Sequence, residues 1–147
     1  METSTYAPGA AAHVTGGIDP AGPEGTVTLQ SQGQRVLVTV WMRGLPDNET
    51  GFFALHIHEG SDCSGPGFPT TGSHYNPDGV PHPRHAGDLP PLLSCRGEAY
   101  LQVLTDRFTI PDVMGRTVVI HSGPDDFRSQ PAGNAGEKIA CGVIYPT

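Results

Sequence analysis

Apolar and polar positions alternate along most of the chain. Val27 and Leu29 alternate with threonines over Gly25–Gln30, and Val36, Val38 and Val40 share one parity over Arg35–Met42. Successive side chains of a strand point to opposite faces, so each segment predicts a half-buried β-strand. The same reading gives strands at Ala10–Thr15, Phe53–Glu59, Glu98–Leu104, Arg116–His121 and Lys138–Tyr145. Asp19-Pro20-Ala21-Gly22-Pro23 is turn chemistry, Ser31–Gln34 is a hairpin connection, and Leu45–Thr50 turns the chain into the Phe53 strand. No helix of convincing length is predicted. Seven or eight short strands imply an all-β antiparallel sandwich or barrel. Residues 1–9 hold no pattern and read as a loose start, with residues 10–147 forming a single domain.

Two stretches break the alternation. Gly60–Pro91 and Ser122–Gly136 are rich in proline, glycine and polar residues. A patternless loop as long as the first is uncommon in a domain of this size and is normally functional. Something has to order it, and a metal would do so. The 20 glycines and 15 prolines are spread along the 147 residues, as in a turn-rich domain. The net charge of −7, with no basic run, argues against a nucleic-acid partner. No run of apolar residues is long enough to span a membrane. Met1-Glu2-Thr3-Ser4 lacks the basic start and apolar run of a secretory leader. The expected compartment is the cytoplasm if Met1 is the native start, and extracytoplasmic if the chain is a trimmed mature form. Three cysteines allow one disulfide and one free thiol, with three pairings open.

Histidine carries the candidate chemistry. In Phe53-Ala54-Leu55-His56-Ile57-His58-Glu59 the apolar residues share one face, so His56 and His58 project together from the other. His74, His82 and His85 lie in the first long loop, and His121 ends a strand. His13 reads as an ordinary strand histidine. The spacing His74-x7-His82-x2-His85-x2-Asp88 offers three imidazoles and a carboxylate, a set suited to tetrahedral zinc. His56, His58, His74 and His121 offer four nitrogens, which suit copper(II).

On these motifs the chain resembles the copper/zinc superoxide dismutases. The matching stretches are Phe53–Glu59, Gly72-Ser73-His74-Tyr75-Asn76-Pro77, His85-Ala86-Gly87-Asp88-Leu89, Gly115–His121 and Gly133–Ile144, in that order. The resemblance covers nearly everything from about residue 10 and suggests a bacterial-type member. It implies a flattened eight-stranded Greek-key β-barrel, an immunoglobulin-like sandwich with two long functional loops. It implies one copper and one zinc per chain. His56, His58, His74 and His121 would bind copper, and His74, His82, His85 and Asp88 would bind zinc, with His74 bridging. Asp125 would link a copper histidine to a zinc histidine, and Cys63 would pair with Cys141, leaving Cys95 free. The implied reaction disproportionates superoxide anion to dioxygen and hydrogen peroxide. In it His74 leaves copper(I), takes a proton and returns it, and Lys138 attracts the anion.

Three features depart from the family pattern. Lys138 stands where most members carry an arginine, which keeps the charge and loses the planar fork. The His82–His85 spacing is shorter than in the best-known members, which makes His82 the least secure ligand. The second loop is short, and its charges do not match those that steer substrate elsewhere in the family. Two other classes stay open on residue types alone: a zinc hydratase or hydrolase, and a non-enzymatic copper-buffering protein. Both a monomer and a homodimer fit the sequence.

Overall fold

The structure, a computed structural model, describes residues 9–17 and 21–147. In chain order its strands are β1 (Gly9–Thr15), β2 (Glu24–Gln32), β3 (Arg35–Arg43), β4 (Phe52–Phe53) and β5 (Leu55–His58). There follow β6 (Leu92–Leu93), β7 (Ala99–Thr105), the single-turn helix α1 (Ile110–Val113), β8 (Thr117–His121), β9 (Lys138–Val143) and β10 (Tyr145–Pro146). Gly9, expected to end a loose start over residues 1–9, instead opens β1 by pairing with β2; the rest of that reading, residues 1–8, and part of the Asp19-Pro20 turn lie outside the described residues.

The main sheet runs β5-β8-β9-β1-β2-β3-β7, with β10 added beside β1, and every pairing is antiparallel. It curls into a flattened Greek-key barrel, and β4 and β6 form a separate short pair. The parity seen in the sequence sets the core. Val36, Val38 and Val40 point inward from β3 and meet Val27 and Leu29 from β2 and Leu55 and Ile57 from β5. Each such side chain contributes ~1.5–3 kcal/mol by leaving water.

Several boundaries differ from the sequence reading. β2 and β3 pair out to Gln32 and Arg35, so their connection is only Gly33-Gln34. The expected Phe53–Glu59 strand is broken at Ala54, which changes partners. Its N–H donates to Gly123 O at 2.9 Å, and its carbonyl accepts from His121 N–H at 2.9 Å. The chain thereby passes from pairing with β6 to pairing with β8. The expected last strand is likewise divided into β9 and β10.

The long first loop is ordered by main-chain bonds. One edge of β5 pairs with β8, and its other edge is taken by the loop. Tyr75 N–H donates to Ile57 O at 2.8 Å, Ile57 N–H to Gly87 O at 2.8 Å, and Leu89 N–H to Leu55 O at 3.3 Å. His74 thus lies beside His58, and Asp88 beside His56. The Cys63–Cys141 disulfide, with Cα atoms 5.8 Å apart, ties the loop to β9. Phe68 and Val119 pack with both cysteines.

Candidate metal centre

His56 and His58 leave β5 on the face opposite Leu55 and Ile57, and His121 shares that face on β8. The loop covers all three, which are at most 3% exposed. His74, His82 and His85 approach from the loop and are also buried.

The hydrogen bonds fix which ring nitrogens are bare. His58 Nδ1–H donates to Gly72 O at 2.8 Å, and His121 Nδ1–H to Gly136 O at 3.4 Å. A carbonyl only accepts, so the proton sits on Nδ1 in each and Nε2 carries a lone pair. These two Nε2 atoms are 3.3 Å apart. Two lone pairs at that distance repel unless a cation lies between them. His56 Nε2–H donates to Asp125 Oδ2 at 2.9 Å, and His82 Nε2–H donates to Asp125 Oδ1 at 2.8 Å, so both expose a bare Nδ1.

Among the described residues, four buried side-chain atoms have no hydrogen-bond partner: His56 Nδ1, His74 Nε2, His82 Nδ1 and Asp88 Oδ1. Asp88 Oδ1 lies 2.9 Å from His74 Nδ1, and Asp88 Oδ2 lies 3.0 Å from His82 Nδ1. Yet neither His82 Nδ1 nor Asp88 Oδ1 is aligned for a bond. Convergence without hydrogen bonding is what metal donors show. An unsatisfied buried polar group costs ~1–3 kcal/mol, and bound cations would relieve all four. His56, His58, His74 and His121 each offer an atom within 4.8 Å of the others', as do His56, His74, His82 and Asp88. His85 adjoins the second group, its Nδ1 3.2 Å from His74 Nδ1 and 3.3 Å from Asp88 Oδ2. The donor atoms therefore form two adjacent groups that could each hold a cation, with His56 and His74 common to both.

Burial pushes His58 down to about 2 and His121 down to about 3, with neighbouring His74 and His56 and the Lys138 charge adding to it. Burial likewise lowers His56. All three are neutral near pH 7, the form that ligates metal. Burial alone would raise Asp125, but hydrogen bonds from His56, His82 and the Phe127 N–H hold it well below the usual carboxylate range.

A cavity of about 800 Å³ is lined by His58, His74, His121, Glu59, Asn134 and Lys138, among others. The Lys138 ammonium donates to Thr71 Oγ1 at 2.7 Å, with Gly72 O at 3.4 Å and Phe68 O at 3.5 Å. It is therefore moored to the metal loop. His13 joins neither group; it is exposed on β1, 4.0 Å from Glu24. Cys95 is an exposed free thiol.

The family model for copper/zinc superoxide dismutase matches residues 23–144. The chain belongs to the copper/zinc superoxide dismutase family. Over 135 residues it is 40% identical to superoxide dismutase [Cu-Zn] 2 of Aquifex aeolicus, covering 82% of this chain and 78% of that one. It is 31% identical over 137 residues to superoxide dismutase [Cu-Zn] of Caulobacter vibrioides, covering 82% and 77%. It is also 34% identical over 150 residues to the human copper chaperone for superoxide dismutase, covering 92% of this chain and 53% of the chaperone.

Two residues around this centre, Gln130 and Arg107, gave no signal in the sequence, and Gly133 was marked only as the first residue of a matching stretch. Gln130 and Arg107 bind main-chain atoms of the His82–His85 segment, and Gly133 lies against Asp125. A lone glutamine or arginine in a loop has no pattern that marks such a contact.

Proposed function

We infer that this chain is a superoxide dismutase, an oxidoreductase that disproportionates superoxide anion to dioxygen and hydrogen peroxide. The observation that carries the reading is the pair of donor groups joined at His74 beside an open cavity, in a chain of this family. His56 Nδ1, His58 Nε2, His74 Nε2 and His121 Nε2 would hold copper. His74 Nδ1, His82 Nδ1, His85 Nδ1 and Asp88 would hold zinc. His56 already faces the copper set through Nδ1 and Asp125 through Nε2, so His85 is the better fourth zinc donor. When bound, copper supplies a one-electron couple and zinc a fixed positive charge.

The chain's own residues do the rest. Asp125 orients His56 and His82 from behind and fixes their tautomers. His74, the residue common to both sets, carries a proton at Nε2 between cavity and product. Lys138, on the cavity wall, draws the anion in against the overall charge of −7. Both donor sets and the cavity come from one chain, so the reading is compatible with a monomer or a homodimer. A hydrolase would need only three donors and would leave the second set idle. Copper buffering would need donors but no cavity with a cation on its wall.

The test is metal content together with superoxide decay for the parent, His58→Ala and His121→Ala. The parent is expected to hold one copper and one zinc and to be active, and each variant to lose activity while keeping its fold. A fully loaded parent without dismutation would overturn the reading.

A further inference from the structure

His82 is gripped by its main chain as well as by its ring. Its N–H donates to Gln130 Oε1 at 2.9 Å, and its carbonyl accepts from Gln130 Nε2–H at 2.7 Å. The Gln130 side chain pairs with it as a neighbouring strand's peptide would, across 48 residues of sequence. The same loop supplies Asp125, whose Oδ1 takes the His82 ring proton. Gln130 and Asp125 thus hold one residue at three atoms: N, O and Nε2. Gln130 is itself steadied by the Arg128 carbonyl, 3.1 Å from Nε2.

We propose that Gln130 is a positioning residue for the metal group of His74, His82, His85 and Asp88, setting how tightly that group holds its cation by fixing the backbone from which His82 aims Nδ1. The proposal rests on reading this group as the zinc site. Only two residues separate His82 from His85, so both rings must converge from one tight turn. Local bonds brace that turn at other points, from Arg84 N–H to Pro81 O at 2.9 Å and from Asp88 N–H to His85 O at 3.0 Å. The His82 peptide groups instead receive their bonds from Gln130. A ring rotated even slightly about an unheld backbone would lose both its aim at the group and its bond to Asp125. The loop carrying Gln130 also walls the cavity through Ser129, Pro131 and Ala132, so the grip couples metal retention to the shape of that wall.

Gln130→Met keeps the length of the side chain and removes both bonds. Gln130→Glu keeps the acceptor for His82 N–H and removes the donor to His82 O. The readouts are zinc release to a chelator from the loaded protein, and the visible spectrum of cobalt(II) placed in the zinc-free protein. The methionine variant is expected to release zinc roughly 10–100-fold faster, as when residues that orient metal ligands are lost. Its cobalt bands should shift away from the parent's, and the glutamate variant should lie between. Copper release should stay at the parent value in both. A parent that takes up neither zinc nor cobalt at this group would overturn the zinc reading and the proposal together. A parent that binds them, with both variants matching its release rate and cobalt spectrum, would overturn the proposal alone. Lower stability of the metal-free variants without faster zinc release would also overturn it, since that marks a merely structural contact.

Discussion

Substituting Gly133 by alanine should uncouple the two donor groups without replacing a ligand. Gly133 has φ +72°, and a Cβ there would lie 2.1 Å from Asp125 Oδ1 and 2.7 Å from His82 Nε2. A carbon–oxygen contact needs about 3.3 Å, so the carboxylate must retreat by about 1 Å. Its bonds to His56 and His82, now 2.9 and 2.8 Å, would then stretch past the useful range. A hydrogen bond to a charged group contributes ~1.5–3 kcal/mol, and left-handed backbone costs a non-glycine residue ~1–2 kcal/mol. Two lost bonds and the strain give about 4 kcal/mol at the lower end, less whatever the loop recovers by yielding. Gly79→Ala is the internal control. Gly79 has φ +64° with nothing within 4 Å of its Cβ position, so only the strain of ~1–2 kcal/mol should appear. Urea denaturation of both variants, metal-free and loaded, measures the difference, and zinc release reports on His82. If Gly133→Ala costs no more than Gly79→Ala and releases zinc at the parent rate, the Asp125 link does not hold these histidines.

Lys138→Ala should slow superoxide decay by about tenfold, the low end of electrostatic focusing, and Lys138→Glu should slow it further. Added salt should slow the parent more than either variant, and equal salt slopes would make Lys138 a plain surface charge. The metal-free protein should lose stability as pH falls below about 6.5. Buried His58, down to about 2, and His121, down to about 3, stay neutral while the unfolded chain protonates near 6.5. That stability is fully present above the unfolded value and falls by ~1.4 kcal/mol per pH unit for each such histidine. Asp125, whose folded value is also depressed, adds a further loss below about pH 4. Urea midpoints that stay flat from about pH 7 to pH 5 would contradict the burial argument. The Cys63–Cys141 bridge spans 78 positions, so Cys63→Ser should cost ~4.5 kcal/mol in the chain-entropy model. Cys95→Ser, at an exposed site, should cost less than ~0.5 kcal/mol by the same urea assay.

The strands were legible because Val27, Leu29, Val36, Val38 and Val40 must all reach one core, and period-two alternation follows from that. The histidines stood out because imidazoles at short, irregular spacing in a proline-rich loop serve no packing purpose. Ala54 was not legible as a break. A small apolar residue fits the alternation, and its change of partners depends on His121 and Gly123, distant in sequence. The α1 turn did carry a signal, the capping box of Thr109 and Asp112, but a single turn shows no period. The loop's order was expected from metal, whereas β5 lends it a whole strand edge, and edge pairing with irregular backbone leaves no trace in residue type. The mooring of Lys138 to Thr71 and the hold of Gln130 on His82 are long-range polar contacts of the same kind.

The most direct test of the central claim is superoxide decay by pulse radiolysis while copper(II) is titrated into zinc-loaded, copper-free protein. The catalytic rate should rise in proportion to copper, break at one copper per chain and stay flat beyond it, while zinc alone gives no activity. A rate that never exceeds that of the same amount of free copper, or one that zinc alone supports, would contradict a copper-dependent dismutase built on these residues.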